Sequence, residues 1–190
     1  FASSLAAYAF ARLRAPGRDT LFMLMLSTMM VPGMVRLIPT YIVFAKLDWI
    51  NTFLPLTIPS LLGSAFYIFL LRQFFMTIPM ELEDAALIDG CSRLGIWWRI
   101  MLPLAKPALA TVTIFSFMGA WNDLLGPLIY LNDQNLYTLA LGLQAFQYVH
   151  GGDWGLLMAA ATMMIVPVVF LFFLAQKQFV QGIVLTGIKG

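Results

Sequence analysis

Two stretches of this chain, Ile50–Leu71 and Gly155–Gln176, contain no charged residue, and each matches the roughly 20 residues needed to cross a hydrocarbon core. Runs of that kind leave a chain few ways to fold. Composition closes the choice further: the chain is 61% hydrophobic and 11% charged, with mean hydropathy +0.87, far from the mix of an ordinary soluble domain. A globular fold of 190 residues could not bury that much apolar surface. A bilayer removes the problem by replacing water around the outside, provided the backbone groups are satisfied internally. The expected class is all-α: a polytopic transmembrane helix bundle forming a single domain over residues 1–190.

Three more apolar blocks complete the pattern. Thr20–Ala45 is long enough to span but is interrupted by Pro32, Gly33, Arg36 and Pro39; Ala108–Leu131 is uncharged except for Asp123. Phe1–Ala11 is too short, and its basic residues Arg12, Arg14 and Arg18 follow the apolar run. A signal peptide has the opposite order. The chain also begins at Phe1 rather than Met, so the expectation is a fragment of a longer protein, cut inside a helix, with one partial span (1–11) and four complete ones (20–45, 50–71, 108–131, 155–176). A net charge of +2 gives no reason to expect nucleic acid, and the single Cys91 excludes an intrachain disulfide.

Lysine and arginine placement orients these spans. With block 1–11 leaving toward the cytoplasm, the inner segments hold Arg12, Arg14, Arg18, Arg72, Arg93, Arg99, Lys106, Lys177 and Lys189, and the outer ones hold only Lys46. The polar segment 79–107 is thereby expected in the cytoplasm.

That segment has a legible local structure. Four of the acidic residues, Glu81, Glu83, Asp84 and Asp89, crowd into it. Pro79 suits a helix start, and the acidic residues that follow favour its positive end. Leu82, Ala85, Ala86 and Asp89 share a face by their spacing, a small-residue face that another surface could approach closely. Gly90 is a natural stop. Ser92 can cap a second short helix through Ile96, Trp97 and Trp98, with Pro103 and Pro107 marking the return to the membrane. Taken alone, an acidic amphipathic loop helix reads as a solvated surface element, and the two tryptophans as interfacial anchors.

Spacing adds a resemblance. Asp84-Ala85-Ala86, Gly90 after three intervening residues, and Ile100-Met101-Leu102-Pro103 resemble the pattern E-A-A, three residues, G, then a later I-x-L-P of ABC importer permeases. The wider run through Trp121-Asn122-Asp123 and the ending Gln181-Gly182…Thr186-Gly187-Ile188-Lys189-Gly190 look like the carbohydrate-uptake branch, similar to maltose and glycerol-phosphate permease subunits. The chain departs from the pattern in having Asp84 where Glu is usual, with Glu83 just before it, so residue type leaves open which carboxylate makes the expected ion pair. Cys91 stands where a small residue, usually Ala, is found.

The resemblance implies a permease subunit of an ATP-driven, binding-protein-dependent importer in the bacterial plasma (inner) membrane, carrying a sugar or sugar derivative by alternating access. It implies a second permease subunit, two copies of a cytoplasmic ABC ATPase, and an extracytoplasmic solute-binding protein meeting the loop 132–154. The coupling surface would comprise Glu83, Asp84, Ala85, Ala86, Asp89, Gly90, Leu102 and Pro103, and the tail residues Gly187, Lys189 and Gly190 would reach the ATPase pair; read alone, that tail is a frayed end. No G-x-x-x-x-G-K-[ST] loop is present, so this chain is not expected to be an enzyme. ATP and magnesium are expected on the partner ATPase, and no cofactor on this chain.

Trp121, Asn122 and Asp123 fall near the middle of the block 108–131, where ionisable groups are costly and face a bundle interior or a wet cavity. They form either a solute-facing polar site, with Trp121 as a stacking platform, or a helix-packing hydrogen bond. Arg36 either pairs with Asp123 or sits near the outer mouth. Broken span 20–45 reads first as a kink that shapes the bundle and second as a pathway lining. The methionines of Met23–Met34 and Met158–Met164 read as packing or lipid-facing residues, and the lone His150, beside Gly151, Gly152 and Asp153, makes no metal site. Other classes fit less well. A permease for a non-sugar solute is the nearest alternative. A secondary transporter would show repeats or ionisable residues spread over several spans, and an intramembrane enzyme needs a catalytic set that one histidine and one embedded aspartate cannot supply.

Overall fold

The computed structural model describes residues 1–149 and 154–186, with side chains through 147 and from 154 to 174. His150, Gly151, Gly152 and Asp153, and at the other end Gly187, Lys189 and Gly190, lie outside the described residues. All regular structure among those described is helical. In order these helices are α1 (Ala2–Arg12), α2 (Arg18–Ser27), α3 (Gly33–Lys46), α4 (Leu54–Leu61), α5 (Ala65–Thr77), α6 (Met80–Ile88), α7 (Arg93–Ile96), α8 (Leu102–Leu104), α9 (Lys106–Trp121), α10 (Leu125–Tyr130), α11 (Leu139–Val149) and α12 (Trp154–Thr186).

Among the described residues two helical stretches are long and apolar enough to cross a membrane, Leu54–Thr77 with 24 residues and Trp154–Leu174 with 21. Block 20–45 is broken where Pro32 and Gly33 stand: Arg18–Met30 and Gly33–Lys46 meet at 99°. Residues 93–121 bend likewise, Arg93–Leu104 against Lys106–Trp121, by 82°. Block 108–131 is not one continuous helix. It ends at Trp121 and restarts at Leu125, so Trp121-Asn122-Asp123 marks a helix break rather than a mid-helix position.

The chain divides into two compact units, 1–39 with 58–112, and 40–57 with 113–190. In the first, Ala7 and Tyr8 of α1, Ile68, Leu71 and Phe75 of α5, and Ile78 form one core with Ala86, Ile96, Trp97, Met101, Leu102, Ala105 and Ala108. The helix pair α1 and α5 is joined at its ends by reciprocal caps. Arg12 donates from Nη2 to the carbonyls of Phe75 (2.6 Å) and Ile78, and Arg72 donates from Nε to the carbonyl of Phe10 at 3.2 Å. Each guanidinium reaches carbonyls at the C-terminal end of the other helix, where positive charge is favoured. Arg72 further lies 4.2 Å over the Phe22 ring of α2, a cation–π contact. At the other end of the pair, Gly63 holds the break between α4 and α5 at φ +93°, and a Cβ there would stand 3.2 Å from Ser3 Oγ. Ser3 Oγ accepts from the Ser64 N–H at 3.1 Å, which explains why α1 packs so closely at that glycine.

In the second unit an aromatic group of Tyr41, Phe44, Trp49 and Tyr130 packs by stacked and edge contacts at centroid separations of 5.4–6.2 Å. Beside it Asn51, at φ +61°, gives its N–H to the Tyr130 carbonyl at 2.7 Å. Its Oδ1 accepts from Asn132 and Asp133 N–H groups, both at 2.9 Å. Asn tolerates this left-handed conformation better than most residues, and here it closes two loop segments onto each other.

Candidate functional site

The segment 79–107 is built as its punctuation predicts. Pro79 caps α6, Asp89 follows its last turn, and Gly90 turns the chain at φ +79°. Ser92 Oγ then accepts from the Gly95 N–H at 3.1 Å, capping α7. Residues Trp97–Met101 form a π turn, in which the Leu102 N–H reaches the Trp97 carbonyl. Pro103 lacks the N–H that would close an ordinary turn onto Arg99, and a wide turn is one way for a chain to absorb that loss.

Side-chain burial divides the acidic residues of α6. Asp84 is exposed, and among the described residues its carboxylate takes part in no ion pair. Glu83 points inward and is 2% exposed. Its Oε1 is 2.6 Å from Arg93 Nη1 and accepts the Tyr8 hydroxyl at 3.1 Å, while Oε2 lies 3.8 Å from Arg12 Nε. Neither Oε2 nor Arg12 Nε has a hydrogen-bond partner. A carboxylate this enclosed is tolerated because cations and a hydroxyl surround it.

This placement corrects part of the expected face. Ala85 and Asp89 are exposed, together with Leu82 at 45% and Ile88 at 86%, but Ala86 is buried against the core. Glu83 and Ala86 therefore cannot meet an outside surface while α6 is seated. Gly90 and Pro103 are exposed, and Leu102 is buried. Trp97 is corrected too: it is a core residue with its indole Nε1 enclosed, not an interfacial anchor. Trp98 is 56% exposed and stacks on Phe1 at 6.2 Å. Sequence reasoning missed Tyr8 and Arg12 as partners of Glu83. The available signal was the position of Arg12 at the end of an apolar run, which is also where a helix end needs a cation.

Residues 121–126 are arranged differently. Trp121 stacks on Phe117 and donates its indole N–H to the Met164 carbonyl at 3.0 Å. Asn122 Nδ2 returns to the Met118 carbonyl at 2.9 Å, and Asp123 Oδ1 accepts from the Gly126 N–H at 3.1 Å. A Cβ on Gly126 would fall 2.5 Å from Asp123 Oδ2 and 2.9 Å from Leu56 Cδ2, so a larger residue there would have to displace the Asp123 carboxylate and the end of Leu56. Arg36 is exposed in the first turn of α3 and belongs to the other unit. Among the described residues no three His, Cys, Asp or Glu side chains come together to hold a metal.

Comparison with known proteins agrees with this layout. The family described as binding-protein-dependent transport system inner membrane component matches residues 1–184. The arabinooligosaccharides transport system permease protein AraQ of Halalkalibacterium halodurans is 36% identical over 188 residues, covering 99% of this chain and 67% of AraQ. The sn-glycerol-3-phosphate transport system permease protein UgpE of Yersinia pestis is 39% identical over 184 residues, 96% of this chain and 65% of UgpE. A chain in the crystal structure of a bacterial ABC transporter involved in the import of the acidic polysaccharide alginate superposes with TM-score 0.80 at 27% identity, covering 92% of this chain and 68% of that one. This chain thus spans about two thirds of the length of the curated relatives it matches. Motif, helical architecture and relatives agree: the chain belongs to the family of binding-protein-dependent transport system inner membrane components.

Proposed function

We propose that this chain is a multi-pass permease subunit of a bacterial plasma-membrane importer for a sugar or sugar derivative, and that α6 is where a separate ATPase takes hold of it. The observation that carries the reading is the division of labour on α6. Asp84, Ala85, Ile88 and Asp89 face outward with no partner in their own core, while Glu83 and Ala86 hold the helix down. An exposed carboxylate beside Ile88 offers an ATPase subunit an ion pair and an apolar seat together. Of the two carboxylates, Asp84 is the one available to a partner. ATP and magnesium belong to that ATPase, present in two copies; a second permease subunit completes the pathway, and an extracytoplasmic binding protein delivers the solute.

The sugar assignment is supported by what AraQ and UgpE are named for and by the alginate importer. For Trp121, Asn122 and Asp123 the pathway role rests on their position at a helix break, a place where transporters line cavities; Arg36 is proposed for the pathway as an exposed cation of α3. The deciding experiment purifies the full-length protein with its neighbours and measures ATP hydrolysis with a binding protein loaded with candidate sugars. Stimulated hydrolysis in a complex containing this chain is the expected result, and absence of any associated ATPase would sink the reading. Asp84→Lys should abolish the association while membrane insertion survives.

A further inference from the structure

α6 is nine residues long, too short to hold its shape without tertiary contacts, and it has little grip on the core. Ala86 is buried but small, Leu87 is partly buried, and Glu83 is the one long polar side chain of α6 that enters the interior. That single carboxylate meets three residues on two other helices: Tyr8 and Arg12 of α1, and Arg93 of α7. Through Arg12 it also reaches the end of α5, since the same guanidinium holds the carbonyls of Phe75 and Ile78.

We propose that Glu83 is the charged joint that fastens the loop helix to α1 and α5, and that it carries displacement of α6 to those helices. The inference rests on the reading of α6 as the element a partner moves, and makes Glu83 a positioning residue that touches neither solute nor ATPase. Two features suit it to the task. Its bonds are charge-assisted, which makes them stronger than neutral ones, and on the Tyr8 and Arg12 side they are buried. The Oε2 side has slack: 3.8 Å separates it from Arg12 Nε, about 1 Å beyond a hydrogen bond, and both atoms are buried with no other partner. Movement of α6 toward α1 closes that gap; movement away is resisted by the bond to Tyr8, while Arg93 ties the same carboxylate to α7.

The test uses the full-length permease with its second permease subunit and ATPase, in wild-type form and as Glu83→Gln, which keeps the shape and removes the charge. Amide exchange is read over 80–88 and over α1 and α5, first without nucleotide and then trapped with ATP and vanadate. In Glu83→Gln, exchange over 80–88 should rise about tenfold, as expected for losing a charged buried partner, while the ATPase still co-purifies. The nucleotide-dependent change in α1 and α5, present in wild type, should vanish in the variant, and Glu83→Asp should recover part of it. Unchanged exchange over 80–88, or a nucleotide response of α1 and α5 that survives in Glu83→Gln, overturns the proposal. So does loss of the ATPase with α6 still protected, because Glu83 would then be a docking group. Should Glu83→Gln fail to fold, Arg93→Gln removes the half-exposed partner instead and must give the same pattern at smaller size. If the wild-type complex carries no ATPase, the importer reading fails, and the exchange over 80–88 still decides whether Glu83 holds α6.

Discussion

Two acidic residues in this oily chain, Glu83 and Asp123, solve the same electrostatic problem at opposite scales. Glu83 is satisfied by residues of α1 and α7, some of them far away in sequence. Asp123 is satisfied by an N–H three residues on. The first carboxylate therefore specifies how separate helices meet, and the second specifies how one helix stops and the next begins. A charge is costly in an apolar setting wherever it sits, so its partners show what it organises: a joint in one case, a local turn in the other.

The sharpest way to break this comparison is Glu83→Ala. It leaves Arg12 buried without its anion, which should cost about 3 kcal/mol, read as a lowered thermal midpoint in detergent. If it costs no more than Asp123→Ala, the distinction fails. Gly126→Ala comes next, at about 2 kcal/mol, because the added methyl meets Asp123 and Leu56 and overpacking of that kind costs roughly 1–3 kcal/mol. Combining it with Asp123→Ala should give clearly less than the sum of the two, the signature of neighbours sharing one site. Asp123→Ala alone should cost about 1 kcal/mol, the usual value of a lost side-chain cap, and Asp123→Asn much less. Smallest in stability is Asp84→Lys, below about 0.5 kcal/mol as for an exposed surface change. Its effect should appear instead as loss of stimulated ATP hydrolysis in the purified complex, which separates an outward-facing carboxylate from the inward-facing one beside it.

What could be read from sequence follows the same division. Gly90 as a stop and Ser92 as a cap were legible because both act on their own turn, and so was the break at Pro32 and Gly33. The choice between Glu83 and Asp84 was not, because it depends on which side of α6 faces α1, and that is settled by Tyr8 and Arg12 far upstream. Burial of Trp97 was missed for a related reason: composition places tryptophans at a membrane edge, whereas its contacts come from the packing of 93–105 onto the α1 and α5 core. The interruption at 122–124 was hidden by an apolar run that continues through it, although Gly126 and Pro127 stand just beyond.

The reciprocal caps of α1 and α5 set an order on how the protein can be made. Arg12 and the Phe10 carbonyl leave the ribosome well before Arg72, Phe75 and Ile78 exist. Until then the Phe10 carbonyl and the Arg12 guanidinium lack the partners that α5 gives them. Neither helix can be finished before the other. The pair can close only once residues 72–78 have been made, and the Arg12 side of the Glu83 joint is set by that closure.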